Sequence, residues 1–330
     1  MEIDNQGLMW VIDTGRINIF HESVDNTCPP KLLIIDTATG EMVDEPYIFP
    51  DDVAGHTSTH LNDLVIDNEN QVAYITDSSD AGLIVYDRVN RQSRRHTSDT
   101  MFPDGMGGAP DLDVTWVINN VDLGSTWPGA GVPMDGIALT PDGSRVYYTT
   151  LGGLDVYSLD AALARDFEVD NETYFAALDA SIVKHGDKTD ATDGMAFTCD
   201  GDLIYGALNK ASVFSWVASD DGSSNPVVDS VVVAKDEIKM HWVDTFGFDD
   251  SDGSLWYTVN FLHELFTTGV AGPAYLFKVP TAGSYQKGPC GAVTMETTDK
   301  QDGTISDMKS GGVRAQLGGM IFVMALALLL

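Results

Sequence analysis

The stretch that decides the fold reads MDGIALTPDGSRVYYTTLGGLDVYSLD and spans residues 134–160. A short apolar run at 137–139 is followed by Pro-Asp-Gly, in which proline presets φ and glycine accepts the positive φ of a turn. The β-branched and aromatic residues at 146–150 favour a second strand. A Gly-Gly pair marks another turn, and residues 154–159 alternate as a third strand. The stretch therefore predicts a three-stranded meander, with room for a fourth strand in the sequence that follows.

The same unit recurs along the chain, which indicates a repeat architecture. Each copy has an aspartate at the start of an apolar strand, then a turn, an aromatic strand and a third hydrophobic strand. Such a unit fits a propeller blade of about 40–50 residues, and blades close in rings of about four to eight. The recurrence favours an all-β propeller over a β-sandwich with many turns. Five copies are visible, and their leading acids are Asp4, Asp63, Asp135, Asp193 and Asp244.

The composition is that of an acidic globular protein. The 330 residues carry 50 Asp and Glu against 18 Lys and Arg, which gives a formal net charge of −32. This balance argues against nucleic-acid binding, which needs Lys and Arg to meet phosphate. A solvated acidic surface is the favoured interpretation of the charge, and attraction of cationic ligands is the alternative. Composition does not break before residue 285 or so, so we expect one propeller domain over residues 1–290.

The C-terminal end of the sequence points to export, whereas the N-terminal end does not. Residues 291–312 form a polar linker, and residues 313–330 form an apolar tail that is preceded by small residues at 310–312. Small residues, a spacer and a terminal apolar tail resemble a glycolipid (GPI) anchor signal, and a short tail anchor or a frayed end is the alternative. No signal peptide precedes the first strand. We therefore expect an extracellular protein, secreted or membrane-tethered, whose signal peptide and first blade are missing from this sequence.

The cysteines and one sequon add to this expectation. Cys28, Cys199 and Cys290 lack CxxC spacing, so a zinc site is not indicated. An odd count leaves one thiol free or indicates a lost partner, and we expect Cys199, in a turn between two strands, to be unpaired. The sequon that begins at Asn171 predicts a glycosylation site.

Several segments together resemble the major royal jelly protein and Yellow family. They are LMWVIDTGRI (8–17), CPPKLLIIDTATGE (28–41), HLNDLVID (60–67) and WVDTFGFDDSDGSLWYTVN (242–260), within a match over residues 4–280. The resemblance implies a six-bladed propeller, usually secreted, whose first blade lies ahead of the 8–17 segment. Relatives often pair the cysteine of CPP with one just before that segment. This chain has no cysteine there, so Cys28 is left without an evident partner.

The leading acids predict the functional site. In a propeller the innermost strand of each blade lines a central channel, so residues at the start of these strands should converge at one mouth. Converging oxygens suit Ca²⁺, or an ammonium group ringed by aromatic side chains. The alternative is that each aspartate closes its own turn through nearby backbone N–H groups. The polar residues expected at the mouth are Asn62, Asp63, Asp135, Asp193 and Asp244.

The resemblance adds three residues to this ligand site. Amine-binding members of the family hold aromatic amines through the threonine of DTF and the asparagine that ends the next strand, which are Thr245 and Asn260 here. The family has an aromatic residue two positions after that asparagine. Leu262 stands there in this chain, and Phe261 is the adjacent aromatic candidate. The resemblance thus implies binding of a biogenic amine or catechol-like molecule.

Two enzymatic alternatives stay open. Other Yellow-like members are associated with dopachrome conversion, which implies an isomerase without an assignable catalytic set. Lactonase-type propellers use a metal at the mouth to activate water. In that alternative the expected Ca²⁺ ligands are Asn62, Asp135, Asp193 and Asp244. No cofactor other than Ca²⁺ is suggested, and no nucleophile elbow, HExxH, P-loop or Rossmann motif is present.

Overall fold

The computed structural model describes residues 1–18, 23–103, 117–122, 132–219, 223–249 and 253–280. Its strands form successive antiparallel sheets in which neighbouring strands are also neighbours along the chain. Each sheet is one blade, and the first strand of each blade is the innermost. The described residues thus form an all-β propeller with five blades, four of them four-stranded and one three-stranded.

The first two blades are built almost entirely of strands and turns. Blade 1 contains β1 (Glu2–Ile3), β2 (Leu8–Asp13), β3 (Lys31–Asp36) and β4 (Tyr47–Ile48). Blade 2 contains β5 (Leu61–Asp67), β6 (Val72–Asp77), β7 (Gly82–Asp87) and β8 (Gln92–His96). A 3₁₀ turn (Asp99–Met101) and a two-stranded hairpin, β9 (Val117–Ile118) and β10 (Val121–Asp122), follow before the third blade.

Blades 3 to 5 carry helical insertions ahead of their outer strands. Blade 3 contains β11 (Met134–Leu139), β12 (Arg145–Thr150), β13 (Asp155–Asp160), α1 (Ala161–Ala164), α2 (Asn171–Ala180) and β14 (Val183–Asp187). Blade 4 contains β15 (Met195–Phe197), β16 (Asp202–Ala207), β17 (Ser212–Val217), α3 (Pro226–Asp229) and β18 (Val231–Lys235). Blade 5 contains β19 (Trp242–Asp249), β20 (Ser254–Asn260), α4 (Leu262–Thr268) and β21 (Tyr275–Pro280).

The hydrophobic core lies between the blades. In β7, Leu83 packs into the cluster that joins blade 2 to blade 3, whereas its neighbour Ile84 packs into the cluster that joins blade 2 to blade 1. Both side chains are fully buried, because alternate residues of a strand point to opposite faces and each face is covered by a blade. Each such burial contributes about 1.5–3 kcal/mol before the entropic cost of ordering the chain. This packing explains why the strands are apolar on both sides.

The meander predicted from residues 134–160 is confirmed by β11, β12 and β13, and its fourth strand, β14, comes only after two helices. An additional blade ahead of residue 1 stays a prediction. The predicted linker (291–312) and tail (313–330) lie outside the described residues. In the ranges that the structure covers, no helix combines the length and the apolar character needed to span a membrane.

One prediction about the cysteines is wrong. Cys199 forms a disulfide bond, although a turn position between two strands gave no sign of a partner in the sequence. Cys28 is exposed and free, as expected from the missing upstream cysteine. Cys290 lies outside the described residues. Asn171 is exposed at the first residue of α2, where a glycan could be attached without burial.

Candidate functional site

Four aspartates stand at the start of the innermost strands of blades 2 to 5. In β5, β11 and β19 the pairing register shifts at the aspartate, between residues 61 and 64, 134 and 137, and 243 and 246. Such a bulge re-aims a side chain out of the regular alternation. Asp193 lies two residues before β15, so it too is outside the regular ladder. We call these residues the acid quartet: Asp63, Asp135, Asp193 and Asp244.

Threonine hydroxyls of the blade's second strand accept hydrogen bonds from the backbone N–H groups that the bulges leave without a partner in the sheet. The N–H of Asp63 donates to Oγ1 of Thr76 at 3.0 Å, and the N–H of Thr245 donates to Oγ1 of Thr258 at 3.2 Å. Unpaired N–H groups in the interior would cost about 1–3 kcal/mol each. These threonines therefore stabilise the irregular backbone that carries the carboxylates.

Two glycines bring neighbouring innermost strands into backbone contact. A Cβ on Gly136 would overlap the carbonyl oxygen of Asp193, and a Cβ on Gly194 would overlap the carbonyl oxygen of Asp244. Glycine is required at both positions by close approach rather than by an unusual φ. The Asp-Gly pairs of blades 3 and 4 thus place each carboxylate beside the next blade's acid.

Asp135 and Asp193 form a carboxyl pair at the centre of the quartet. A side-chain hydrogen bond joins them, and it requires that one carboxyl carries a proton. Burial, followed by the charges of the other quartet members, raises the pKa of both groups well above the ordinary value. Asn62 donates to Asp135 at 2.5 Å and the indole N–H of Trp242 donates to Asp193 at 2.6 Å. These two donors partly offset the cost of ionising the pair.

The outer members of the quartet are held differently. Burial raises the pKa of Asp63 to about 7, with the charges of Glu2 and Asp244 adding to the effect. Burial also raises the pKa of Asp244, against hydrogen bonds from Thr245 and Asn260. The Asp63 carboxylate accepts the backbone N–H of Leu64 at 2.8 Å, a local contact of the kind expected for a turn aspartate. Asp63 therefore titrates near neutral pH, and the pKa of each other quartet member lies above its ordinary value.

The quartet has little positive charge around it: the charge of the N-terminal ammonium opposes the rise in the pKa of Asp63 and of Asp244. Within the described ranges, none of the four carboxylates forms a salt bridge with a lysine, arginine or histidine. The same residues contain no group of three His, Cys, Asp or Glu side chains arranged to hold one metal ion. The Ca²⁺ alternative, which also uses the side-chain oxygen of Asn62, stays a prediction.

The residues suggested by the family resemblance have distinct environments. Asn260 donates from Nδ2 to Asp244 at 2.6 Å, and the hydroxyl of Thr245 donates to the other oxygen of Asp244 at 3.1 Å. Both residues therefore orient a quartet carboxylate. The Phe261 ring packs on His241 at 4.9 Å between centroids and on His263 at 5.8 Å, in an aromatic cluster of blade 5.

Asp4 does not belong to this set, although the sequence pattern grouped it with the leading acids. Its Oδ1 accepts the backbone N–H groups of Gln6 and Leu8, and its Oδ2 accepts the indole N–H of Trp10 at 3.0 Å. It closes the turn that follows the innermost strand of blade 1, which is the position of Asp67 in blade 2. For Asp4 alone, the turn-closing alternative is therefore correct.

Sequence reasoning did not identify Trp242 as a site residue. The residue is 1 % exposed. Its indole N–H donates a hydrogen bond from blade 5 to Asp193 of blade 4. Its ring stacks on His263 with an interplanar angle of 3°. The hairpin β9–β10 covers it through Ile118. The available signal was an indole two residues before a leading aspartate, at the blade end where the acids converge.

Comparison with solved structures gives weak likenesses, all with low sequence identity. A luciferin-regenerating enzyme aligns with TM-score 0.48 and 13% identity over 79% of this chain and 75% of that chain. A putative 6-phosphogluconolactonase from Bacteroides fragilis aligns with TM-score 0.49 and 10% identity, over 94% of this chain and 69% of that chain. Likenesses of this size do not bear on activity.

Curated relatives are nearer in sequence. Major royal jelly protein 3 of Apis mellifera is 28% identical over 203 residues, 59% of this chain and 34% of the relative. Major royal jelly protein 7 of the same species is 25% identical over 65% of this chain and 45% of the relative. Protein yellow of Drosophila melanogaster is 25% identical over 66% of this chain and 39% of the relative. The chain thus spans less than half the length of these relatives.

The family comparison covers the entire described region. The sequence model described as Major royal jelly protein matches residues 1–281, which include all five blades and the acid quartet. The chain belongs to the major royal jelly protein family.

Proposed function

We propose that this chain is an extracellular propeller that binds small amine-bearing cations at the acid quartet. The observation that carries the proposal is the convergence of four carboxylates, one from each of four consecutive blades, without a salt bridge to a basic side chain in the described ranges. Carboxylates that are buried or half-buried and lack a salt-bridge partner are costly to ionise, and a ligand cation relieves that cost directly.

The chemistry of the quartet matches an ammonium group better than a single small metal ion. An ammonium carries three donors that can reach acceptors on different blades, whereas Ca²⁺ needs about 6–8 oxygens in one shell. In the described residues, no three His, Cys, Asp or Glu side chains are grouped as for one metal ion.

Ligand binding at this site is coupled to protons. The Asp63 carboxyl, with a pKa of about 7, and the Asp135–Asp193 pair, with pKa values raised by burial, hold protons that an incoming cation displaces. Amine binding near neutral pH therefore releases protons. Affinity falls as the pH is lowered, because the protonated quartet offers the cation less negative charge.

The extracellular location is supported by two features besides the family. Cys199 is disulfide-bonded, and disulfides persist mainly in oxidising compartments. Asn171 begins a sequon and is exposed. Secretion from a eukaryotic host with a supplied signal peptide, followed by mass analysis for the glycan, tests this part of the proposal.

Calorimetric titration with serotonin, dopamine and octopamine tests ligand binding. We expect heat from at least one amine, and a heat that varies with the ionisation enthalpy of the buffer because protons are released. Asp135→Asn should weaken binding by about tenfold or more, since it removes one carboxylate of the pair. Asp67→Asn is the matched control, because Asp67 is also buried but lies at the opposite end of β5 from Asp63. An absence of heat for all three amines with folded protein contradicts the proposal.

A further inference from the structure

A concave site lies at the junction of blades 4 and 5, and none of the quartet residues lines it. It is a pocket of about 420 Å³, within the range of small-molecule sites. The turn between β16 and β17 forms one wall, and the connection from β18 to β19 forms another. Asn119 of the hairpin β9–β10 closes a third side, where its side chain donates to the carbonyl oxygen of His241 at 2.7 Å.

The pocket is basic in a strongly acidic chain. Lys210 and Lys235 both line it, although the chain has only 18 Lys and Arg against 50 Asp and Glu. Lys235 is paired with Glu237 at 2.8 Å. In the described residues, Lys210 forms no salt bridge, and its ammonium lies 5.7 Å from the centroid of the Phe214 ring. The pocket therefore retains one positive charge that no described acid neutralises.

A polar ring atom at the pocket is also without a partner. Nδ1 of His241 is buried and has no hydrogen-bond partner among the residues that the structure covers. Such atoms normally find a partner, because leaving one unsatisfied costs about as much as a lost hydrogen bond. The nearby Asp236 does not supply it, since its carboxylate accepts the backbone N–H groups of Ile238 and Lys239 at 2.9 and 3.1 Å.

The opposite side of the pocket is apolar. Phe214 lines it and stacks on Tyr205 at 5.7 Å between ring centroids, which holds the ring in place. Val232 of the edge strand β18 is half exposed and continues the apolar surface. A ligand that fits this arrangement has an apolar body and an anionic group.

We propose that the pocket between blades 4 and 5 binds a small organic carboxylate, with Lys210 facing the carboxylate and Phe214 contacting the apolar body, while Lys235 stays paired with Glu237. This site takes the charge opposite to that of the acid quartet and is independent of it. With both sites, the chain would bind a cation at the acid quartet and an anion at the pocket between blades 4 and 5.

Ligand-observed NMR titration of the full chain with benzoate tests the proposal, with benzamide and benzylamine as the neutral and cationic counterparts. We expect benzoate to bind, benzamide to bind at least about tenfold more weakly, and benzoate affinity to fall with added salt. Lys210→Met keeps the alkyl stem over Phe214 but removes the charge, so it should weaken benzoate binding by about tenfold. Lys278→Met is the matched control, because Lys278 lies 5.0 Å from the Trp256 ring centroid, outside the pocket.

Three outcomes overturn the proposal: no benzoate binding, equal binding of benzoate and benzamide, or an equal loss in Lys210→Met and Lys278→Met. Melting curves of both variants show whether they are folded. Asp135→Asn should leave benzoate binding intact, which separates failure of this site from failure of the amine site.

Discussion

Replacing Asp63 by asparagine should stabilise the protein at alkaline pH and leave its stability unchanged in acid. Burial raises the pKa of Asp63 from 3.8 to about 7, so the folded chain binds this proton more tightly than the unfolded chain does. Stability therefore falls as the pH rises from about 4 to about 7, because the unfolded carboxyl ionises first. Asparagine has no proton to lose, and its amide oxygen can still accept the N–H of Leu64.

The magnitude follows from the shift in pKa. The difference between about 7 and 3.8 is about 3 units. At about 1.36 kcal/mol per unit, Asp63→Asn should gain at most about 4 kcal/mol at pH 8. The gain is smaller where neighbouring quartet carboxyls take up protons in its place, since their titrations are linked.

Urea unfolding at pH 4 and pH 8 measures the effect. The control is Asp87→Asn, because burial raises the pKa of Asp87 but hydrogen bonds from Asn90 and Gln92 lower it overall. That carboxylate stabilises the fold above its unfolded pKa and loses the effect as the pH falls through its folded pKa, so its removal should destabilise the protein at pH 8. If Asp63→Asn is no more stable than the parent at pH 8, the burial argument for the quartet is refuted.

Three further variants test the framework of the site. Gly194→Ala should cost about 2 kcal/mol or more in urea unfolding and abolish amine binding, because a Cβ there overlaps the carbonyl oxygen of Asp244; a variant of parental stability would contradict the close approach. Trp242→Phe keeps a ring but removes the N–H bonded to Asp193 at 2.6 Å, so unfolding and calorimetry should show a loss of about 1–3 kcal/mol and weaker amine binding. Asn171→Gln should lower the mass of the protein secreted from eukaryotic cells by one glycan without changing its melting temperature, and an unchanged mass would show that the sequon is unused.

The blades were predictable because their signals are local. Turn residues and alternating apolar residues at 134–160 define three strands without reference to the rest of the chain. The helices α1 and α2 were not predicted, although Asp160 and Asp170 cap their first turns through side-chain hydrogen bonds. An N-cap aspartate also begins many turns, so by itself it does not separate the two structures.

The sequence identified the four quartet aspartates, but it did not identify Trp242 or the contacts between them. The repeat identified which aspartates begin the innermost strands, since equivalent positions share a place in each blade. The bonds from Trp242 to Asp193 and from Asn62 to Asp135 cross between blades, so they depend on the angle between sheets rather than on either segment. The disulfide of Cys199 escaped prediction for the same reason, because its partner is not set by local sequence.

The acid quartet takes one aspartate from each of four consecutive blades, so the site forms only when those four blades are assembled. A cation bound there would contact all four blades, so separating any of these blades from its neighbour would also break contacts with the ligand. Ligand binding should therefore slow amide hydrogen exchange far from the channel, in the outer strands of blades 2 to 5.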